Sequence, residues 1–373
     1  MRWASVVALL ASSLCSGQGQ SEYQIPLQKL NSSFALPTMA ACDGVLYVAY
    51  RSFNWLRFSS ELQVLACDLA SRKQLRHVTL SIPKVHGARA AEGLFLSKDG
   101  STLAYVELYD PQLVLLLSAK DLSEVRRSTA LPFTSADQRW TFEGFEDDDL
   151  LLFASGKADG LRLIRVNASS LNVFGDARIS VPHDDVFGQM IWAPAVRRVW
   201  ICAGSTRGVQ WQEYSEDGHA TGPASGYRRE INNGAVALGE GKLLAFYGNM
   251  VDAGTAVRYN DHHAQELHLP CLPRPYGESN DPDYAGAICT TSPDREPEHG
   301  GDKILSSEFL LLKTSGPEVV WSRKMAGLGV ANGTGPDDGF QGGDPLIYRS
   351  GANLWIVAPT RSRGLAVDEL PLP

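Results

Sequence analysis

The chain has 373 residues, 20% of them charged, with 42 acidic side chains against 34 Lys and Arg and a formal net charge of −8. That mild acidity, without a dense Lys/Arg stripe, argues against a nucleic-acid backbone as partner, because phosphate binding needs a basic footprint. The pairs Arg126-Arg127, Arg197-Arg198 and Arg228-Arg229 stand apart from one another and read as solvated strand or turn residues.

Residues 1–19 read as a secretory signal. Arg2 supplies the positive charge, and Ala4 to Leu14 is an apolar run too short to span a bilayer. Leu14 stands before Cys15, where a lipoprotein signal would place a small residue, so lipid anchoring is the weaker reading. No later stretch is long and apolar enough for a transmembrane helix. Residues 20–373 are expected to form one domain, periplasmic or secreted, in a compartment that permits disulfides. Five cysteines follow the signal: Cys42, Cys67, Cys202, Cys271 and Cys289. Their odd number leaves at least one unpaired within the chain. Cys271 and Cys289 flank a long polar loop and suit a bridge, and Cys42 with Cys67 is the weaker pairing. Cys202 continues the apolar run from Val199 and reads as inert core. None of the spacings fits a zinc site.

A strand from Tyr23 to Leu30 comes next, and then a repeat of roughly fifty residues, a period that marks propellers or solenoids. Its centre is a short apolar strand rich in β-formers: Leu46 to Tyr50, Leu103 to Glu107, Leu150 to Ala154, Val199 to Ala203, Leu243 to Tyr247 and Leu354 to Ala358. An irregular copy at Ile304 to Ser307 makes the seventh. A glycine marks the preceding strand at Gly93, Gly144, Gly188, Gly234, Gly286 and Gly343, as expected where strands crowd together. Each central strand is followed by a third and a fourth. The second unit is the clearest: Gly93 to Ser97, a Lys98-Asp99-Gly100 turn, Leu103 to Leu108, Leu113 to Ser118, then Val125 to Leu131. The last unit, Pro345 to Leu370, has room for only three strands, and the spare N-terminal strand would complete it and remove an open edge. The sequence therefore predicts an all-β, seven-bladed β-propeller, its ring closed by the N-terminal strand in the last blade.

The segment from Glu92 to Tyr105, EGLFLSKDGSTLAY, resembles the blade signature of WD40-like and YVTN-type propellers, in which an apolar strand, an S-x-D-G turn and an L-x-Y strand recur. Its Glu-Gly opening is similar to that of the gluconolactonase-like calcium-dependent lactonases and the esterase-like phytase propellers. The match covers one blade well and the others in outline, so it speaks to fold and not to function.

Ligand sites in such folds are expected on the face shared by the outer-to-inner crossovers and the loops after each second strand. The crossovers carry a polar series that includes Arg89, Glu92, Glu143, His183, Asp185, Asn233, Asp281, Asp283 and Asp344. Glu92, Glu143, Asn233 and Asp344 adjoin marker glycines, and a ring of carboxylates and amides is what a hard cation such as Ca2+ requires. The resemblance to the lactonases implies such a constellation. His183 and His86 are the candidate bases. Phe53, Trp55 and Phe58 crowd one loop after a second strand, and Arg207, Arg361 and Arg363 add charge, a composition suited to contact with a protein or small extracellular ligand. Phe53, Trp55, Arg89 and Arg361 are the candidate ligand-binding residues. The leading functional expectation is a binding scaffold that uses this face. The alternative is a calcium-assisted hydrolase of a lactone or ester. No G-x-S-x-G elbow or phosphate-cradling glycine loop is present.

Overall fold

The second strand of each repeat is apolar at nearly every position, which an ordinary two-faced sheet with one wet side would not require. The structure, a computed structural model, shows why. It describes residues 23–26, 37–54, 59–83, 93–108, 112–131, 133, 140–157, 160–182, 185–238, 241–250, 253–260, 263–275, 278–279, 281, 283–291, 306–315, 318–324, 345–359 and 364–372. These form seven sheets, the blades of a propeller, antiparallel except where Glu278–Ser279 pairs in parallel with the inner strand of blade 7. Within the second strand of blade 1, Val45–Asn54, Leu46, Val48 and Tyr50 pack against blade 7, while Tyr47 and Ala49 pack against blade 2. Both faces are buried, so alternation disappears and a continuous apolar run remains.

The same arrangement recurs around the ring. Seven apolar clusters each join one blade to the next: 7 to 1, 1 to 2, 2 to 3, 3 to 4, 4 to 5, 5 to 6 and 6 to 7. The hydrophobic core is thus a set of wedges between blades. Outer strands face solvent and are polar, as in Lys73–Ile82 of blade 1 and Glu124–Ser128 of blade 2.

Blade 2 follows its sequence reading closely: Gly93–Leu96, Thr102–Glu107, Leu113–Ser118 and Glu124–Ser128. In its Asp-Gly turn the Ser97 hydroxyl donates to Asp99 at 2.6 Å, and Ser101 N–H donates to the same carboxylate at 2.9 Å. Blade 3 comprises Thr141–Asp147, Leu150–Lys157, Gly160–Asn167 and Val173–Ser180. Blade 5 comprises Asn232–Ala237, Leu243–Met250, Ala253–Asn260 and His263–Leu269. In blade 7, Leu346–Ser350, Asn353–Pro359 and Gly364–Pro371 are joined on the outside by Tyr23–Pro26, antiparallel to Gly364–Val367.

Three expectations need correction. Blade 6 is displaced from its predicted register: its inner strand is Leu272–Pro275, its second strand Tyr284–Thr291 and its third Ser306–Lys313. The inner strand escaped notice because Pro273 and Pro275 remove ladder donors and give it no β signature. Gly286 therefore lies in a second strand, and of the expected central strand Ile304 to Ser307 the described residues Ser306 and Ser307 open the third strand. Blade 4 has three regular strands, Val186–Ala193, Arg198–Ser205 and Gly208–Ser215. Its fourth is replaced by an irregular segment held at its ends by the bridges Tyr214 with Ala220 and Val209 with Arg228. The intervening Gly222-Pro223 and Gly226 explain why no ladder forms there. Finally, Cys271 and Cys289 are bridged, stapling the inner strand of blade 6 to the second. Cys42 and Cys67 are both free thiols.

The marker glycines of blades 3 and 5 sit inside the inner strands, at a bulge, and not at the strand start. Gly144 has φ +101° and Gly234 has φ +118°. A Cβ on Gly144 would lie 2.8 Å from the Phe95 ring of blade 2, and one on Gly234 would lie 2.6 Å from Pro275 of blade 6. Both glycines let a neighbouring inner strand approach, as the repeat predicted.

Placing stability between blades makes a direct prediction. Phe153, fully buried between blades 2 and 3, should cost about 3–5 kcal/mol when changed to Ala. Phe174, 71% exposed on the outer strand of blade 3, should change stability by no more than about 0.5 kcal/mol. Paired denaturant titrations of the two variants check this.

Candidate functional site: the top face of blades 3 to 5

Antiparallel order fixes which loops share a face. The end of a second strand, the start of a third, the end of a fourth and the start of the next inner strand all lie at one edge, called the top here. Several buried carboxylates of the described chain tie one blade to the next. Glu107 accepts two guanidinium bonds from Arg51 and the Tyr105 hydroxyl, tying blade 1 to blade 2. Glu146 accepts from Arg165 Nε at 2.8 and 2.9 Å and from Arg197 at 3.2 Å, tying blade 3 to blade 4. Asp281 pairs with Arg349, tying blade 6 to blade 7. Breaking such pairs leaves an uncompensated buried charge, so they act as locks.

Asp185 differs. It precedes the inner strand of blade 4, its side chain is fully buried, and its partners belong to the same blade. Gln210 Nε2 donates to it at 2.7 Å, and the Tyr227 hydroxyl donates at 2.8 Å. Arg207 donates to that hydroxyl at 2.7 Å, and its guanidinium lies 4.2 Å above the Tyr227 ring. Yet the Arg207 side chain remains 58% exposed. Burial, then the Asp185 carboxylate, push the Tyr227 phenol above its ordinary range, so the phenol stays a donor at neutral pH. Val186, next to Asp185 in sequence, is 57% exposed at the start of the inner strand of blade 4, and Ile231 is 61% exposed just before the inner strand of blade 5, at the same edge. A stacked Arg–Tyr pair fixed from beneath, on an edge that also exposes aliphatic side chains, is a surface already ordered for contact.

The predicted metal ligands are only partly placed. Glu143 and Asn233 are the extra residues of equivalent inner-strand bulges, in blades 3 and 5. Each already has a partner: the Thr141 hydroxyl donates to Glu143 at 2.5 Å, and Asn233 Nδ2 donates to Gly248 O at 3.4 Å. They sit two blades apart, and no group of three or more His, Cys, Asp or Glu suited to a metal occurs among the described residues. Glu92, Asp344, His86, His183, Arg89, Trp55 and Arg361 lie outside the described residues. Phe53 is the penultimate residue of a second strand and pairs with Ser60, its side chain outside the description. Asp281 and Asp283, expected on the top, lie instead in the connection from inner to second strand of blade 6, at the opposite edge. That correction follows from the displaced register of blade 6. Burial lifts the thiols of Cys67 and Cys202 to about 11 and about 12, so neither is a nucleophile at neutral pH.

No family model and no curated protein matches the sequence. Among solved structures, the chain is similar to virginiamycin B lyase from Staphylococcus aureus, at 10% identity and TM-score 0.52 over 95% of this chain and 99% of that one. It is similar to the propeller domain of the trilobed protease from Pyrococcus furiosus, at 11% identity and TM-score 0.50 over 92% and 96%. A chain of the mitotic checkpoint complex aligns at 10% identity and TM-score 0.50 over 93% and 94%. The chain is a seven-bladed β-propeller. A lyase, a protease domain and a checkpoint component share that architecture, so the likeness carries fold alone.

Sequence reading found Asp185 and Arg207 separately but missed Tyr227 and Gln210. Their link depends on the irregular last segment of blade 4, which returns Tyr227 to the second-to-third turn. In this propeller Glu143 offers a pH test. Burial raises its carboxyl, opposed by the Thr141 hydrogen bond. A carboxyl raised on folding is protonated more readily in the native state, so it costs stability as pH rises from the ordinary carboxylate range through the folded value. Glu143→Gln should raise the denaturation midpoint relative to the parent at pH 7 to 8, with the two converging below about pH 4. Equal differences at every pH would contradict this.

Proposed function

We propose that this propeller is a binding scaffold whose top face, centred on blades 4 and 5, holds a protein or small extracellular ligand. The observation that carries the reading is the Arg207–Tyr227 stack, anchored on buried Asp185, on an edge that also exposes Val186 and Ile231. Aromatic and arginine side chains held rigidly beside apolar surface supply contact area at low ordering cost. We further propose that the protein acts outside the cytoplasm. The apolar N-terminal run after Arg2 and the Cys271–Cys289 bridge support that placement.

A double variant, Val186→Glu with Ile231→Glu, should keep the melting temperature and lose a captured partner by tenfold or more, and Arg207→Ala should weaken it less. Unchanged capture by the double variant would remove this face from the reading.

The second reading, a calcium-assisted lactone or ester hydrolase, draws on Glu143 and Asn233 standing at equivalent bulges. There the ion would polarise a carbonyl and activate water. Calorimetric titration of chelator-stripped protein separates the two. One-site calcium binding lost in a Glu92→Gln/Glu143→Gln variant favours the hydrolase, whereas no heat at millimolar calcium leaves the scaffold.

A further inference from the structure

We propose that the top of blade 3 holds a binding site for a tetrahedral oxyanion, a phosphate or sulfate group carried by a small ligand. The site lies beside the contact face described above but stands on different residues.

A cavity of about 270 Å³ opens there, lined by the ends of the second and fourth strands and the start of the third. Its volume falls just under the range of about 300–1,000 Å³ usual for small-molecule sites. Strand register determines what it presents. Ser155 pairs with Arg162, and Arg162 pairs with Arg178. Directly opposed residues share a face of a sheet, so a hydroxyl and two guanidiniums form one row across three strands. Lys157, two residues beyond Ser155, falls on the same face. Ser155, Lys157, Arg162 and Arg178 all line the cavity.

Charge around the row is unbalanced. Asp176 is bound by Arg162, with Nε at 3.0 Å and a terminal nitrogen at 2.6 Å from its oxygens. Trp140 lies against that pair, its ring 5.6 Å from the guanidinium. Lys157 and Arg178 remain exposed and form no direct ion pair among the described residues, though Arg178 lies within electrostatic reach of Asp176. Among the described residues of the row, three cations stand against the one carboxylate of Asp176, an excess of positive charge in a chain of net charge −8 that favours anions. The Ser155 hydroxyl supplies the independent sign of a ligand. Ser155 is only 3% exposed, and its Oγ has no hydrogen-bond partner. A buried hydroxyl left unpaired costs stability unless something completes it. An oxyanion in the cavity would accept from Ser155 Oγ, Lys157 Nζ and the Arg178 guanidinium together. Three donors converging from the second and fourth strands suit a tetrahedral group, whereas a single guanidinium suffices for a planar carboxylate.

The test titrates the full chain, at low ionic strength, with inorganic phosphate, inorganic sulfate and acetate by calorimetry. Phosphate or sulfate should bind at one saturable site below about 10 mM, with acetate at least tenfold weaker. Lys157→Gln and Arg178→Gln should each weaken binding about tenfold or more, a loss typical of one charge-assisted hydrogen bond. Ser155→Ala should weaken it less. Both charged residues are exposed, so their variants should melt like the parent. Arg126→Gln, on the outer strand of blade 2, is the control and should bind as the parent does. Absence of saturable binding, acetate binding equal to phosphate, or full binding by the Lys157→Gln/Arg178→Gln double variant would each overturn the site. Val186, Ile231 and Arg207 are intact throughout, so loss of the contact face and loss of this site read out separately.

Discussion

Burial of the second and third strands on both faces is the constraint from which the rest of the molecule follows. A blade has no core of its own. Its apolar side chains reach their partners only across the gap to a neighbour, as Phe153 does with Ala104 and Val114 of blade 2. Each wedge demands a blade on either side, and only a closed circle satisfies all of them. The outer strand of blade 7, antiparallel to Gly364–Val367, is drawn from the other end of the described chain. Where strands come closest, at Gly144 and Gly234, side chains give way to backbone, and the adjacent positions 143 and 233 are left outside the ladder.

Polar groups in such a ring have two uses. Some are consumed by the packing itself: Arg51 with Glu107, Arg165 and Arg197 with Glu146, and Arg349 with Asp281 cross between blades. These pairs are costly to break and lie between rigid elements, so they fix neighbouring blades in register. Others stand at the upper edge, where strands end and the wedges open. There the Asp185 network props up Arg207, and the row from Ser155 to Arg178 meets the cavity. The scaffold's rigidity is what allows either group to hold its geometry without a partner, which keeps the ordering cost of binding low.

The amount legible in the sequence follows the same division. The second strands of blades 1 to 5 and 7 were readable because burial on both faces writes itself as an uninterrupted apolar run, such as Leu150 to Ala154. Blade 6 was not, because its inner strand is four residues with two prolines, and its strong strand, Tyr284–Thr291, resembles the glycine-marked inner strands of other repeats. The missing fourth strand of blade 4 carried a signal in Gly222-Pro223 that the regular repeat overshadowed. Site residues depend on contacts between strands far apart in sequence. Arg162 and Arg178 look like ordinary solvent-side positions, and only the register that sets Ser155, Arg162 and Arg178 in line brings them together. Alternation around Leu161-Arg162-Leu163 and Ala177-Arg178-Ile179 did show that both arginines leave the apolar face. It did not show that they leave it toward each other.

A ring built from wedges between blades should open as one unit, since losing any blade exposes the cores of two neighbours. Native-state hydrogen exchange followed by mass spectrometry measures this directly. The account predicts that the second strands of all blades, from Val45–Asn54 to Asn353–Pro359, share one slow exchange rate set by global unfolding, while the irregular segment 219–228 exchanges earlier. A blade whose second strand exchanges independently of the others would contradict it, for that blade would hold itself together without its neighbours.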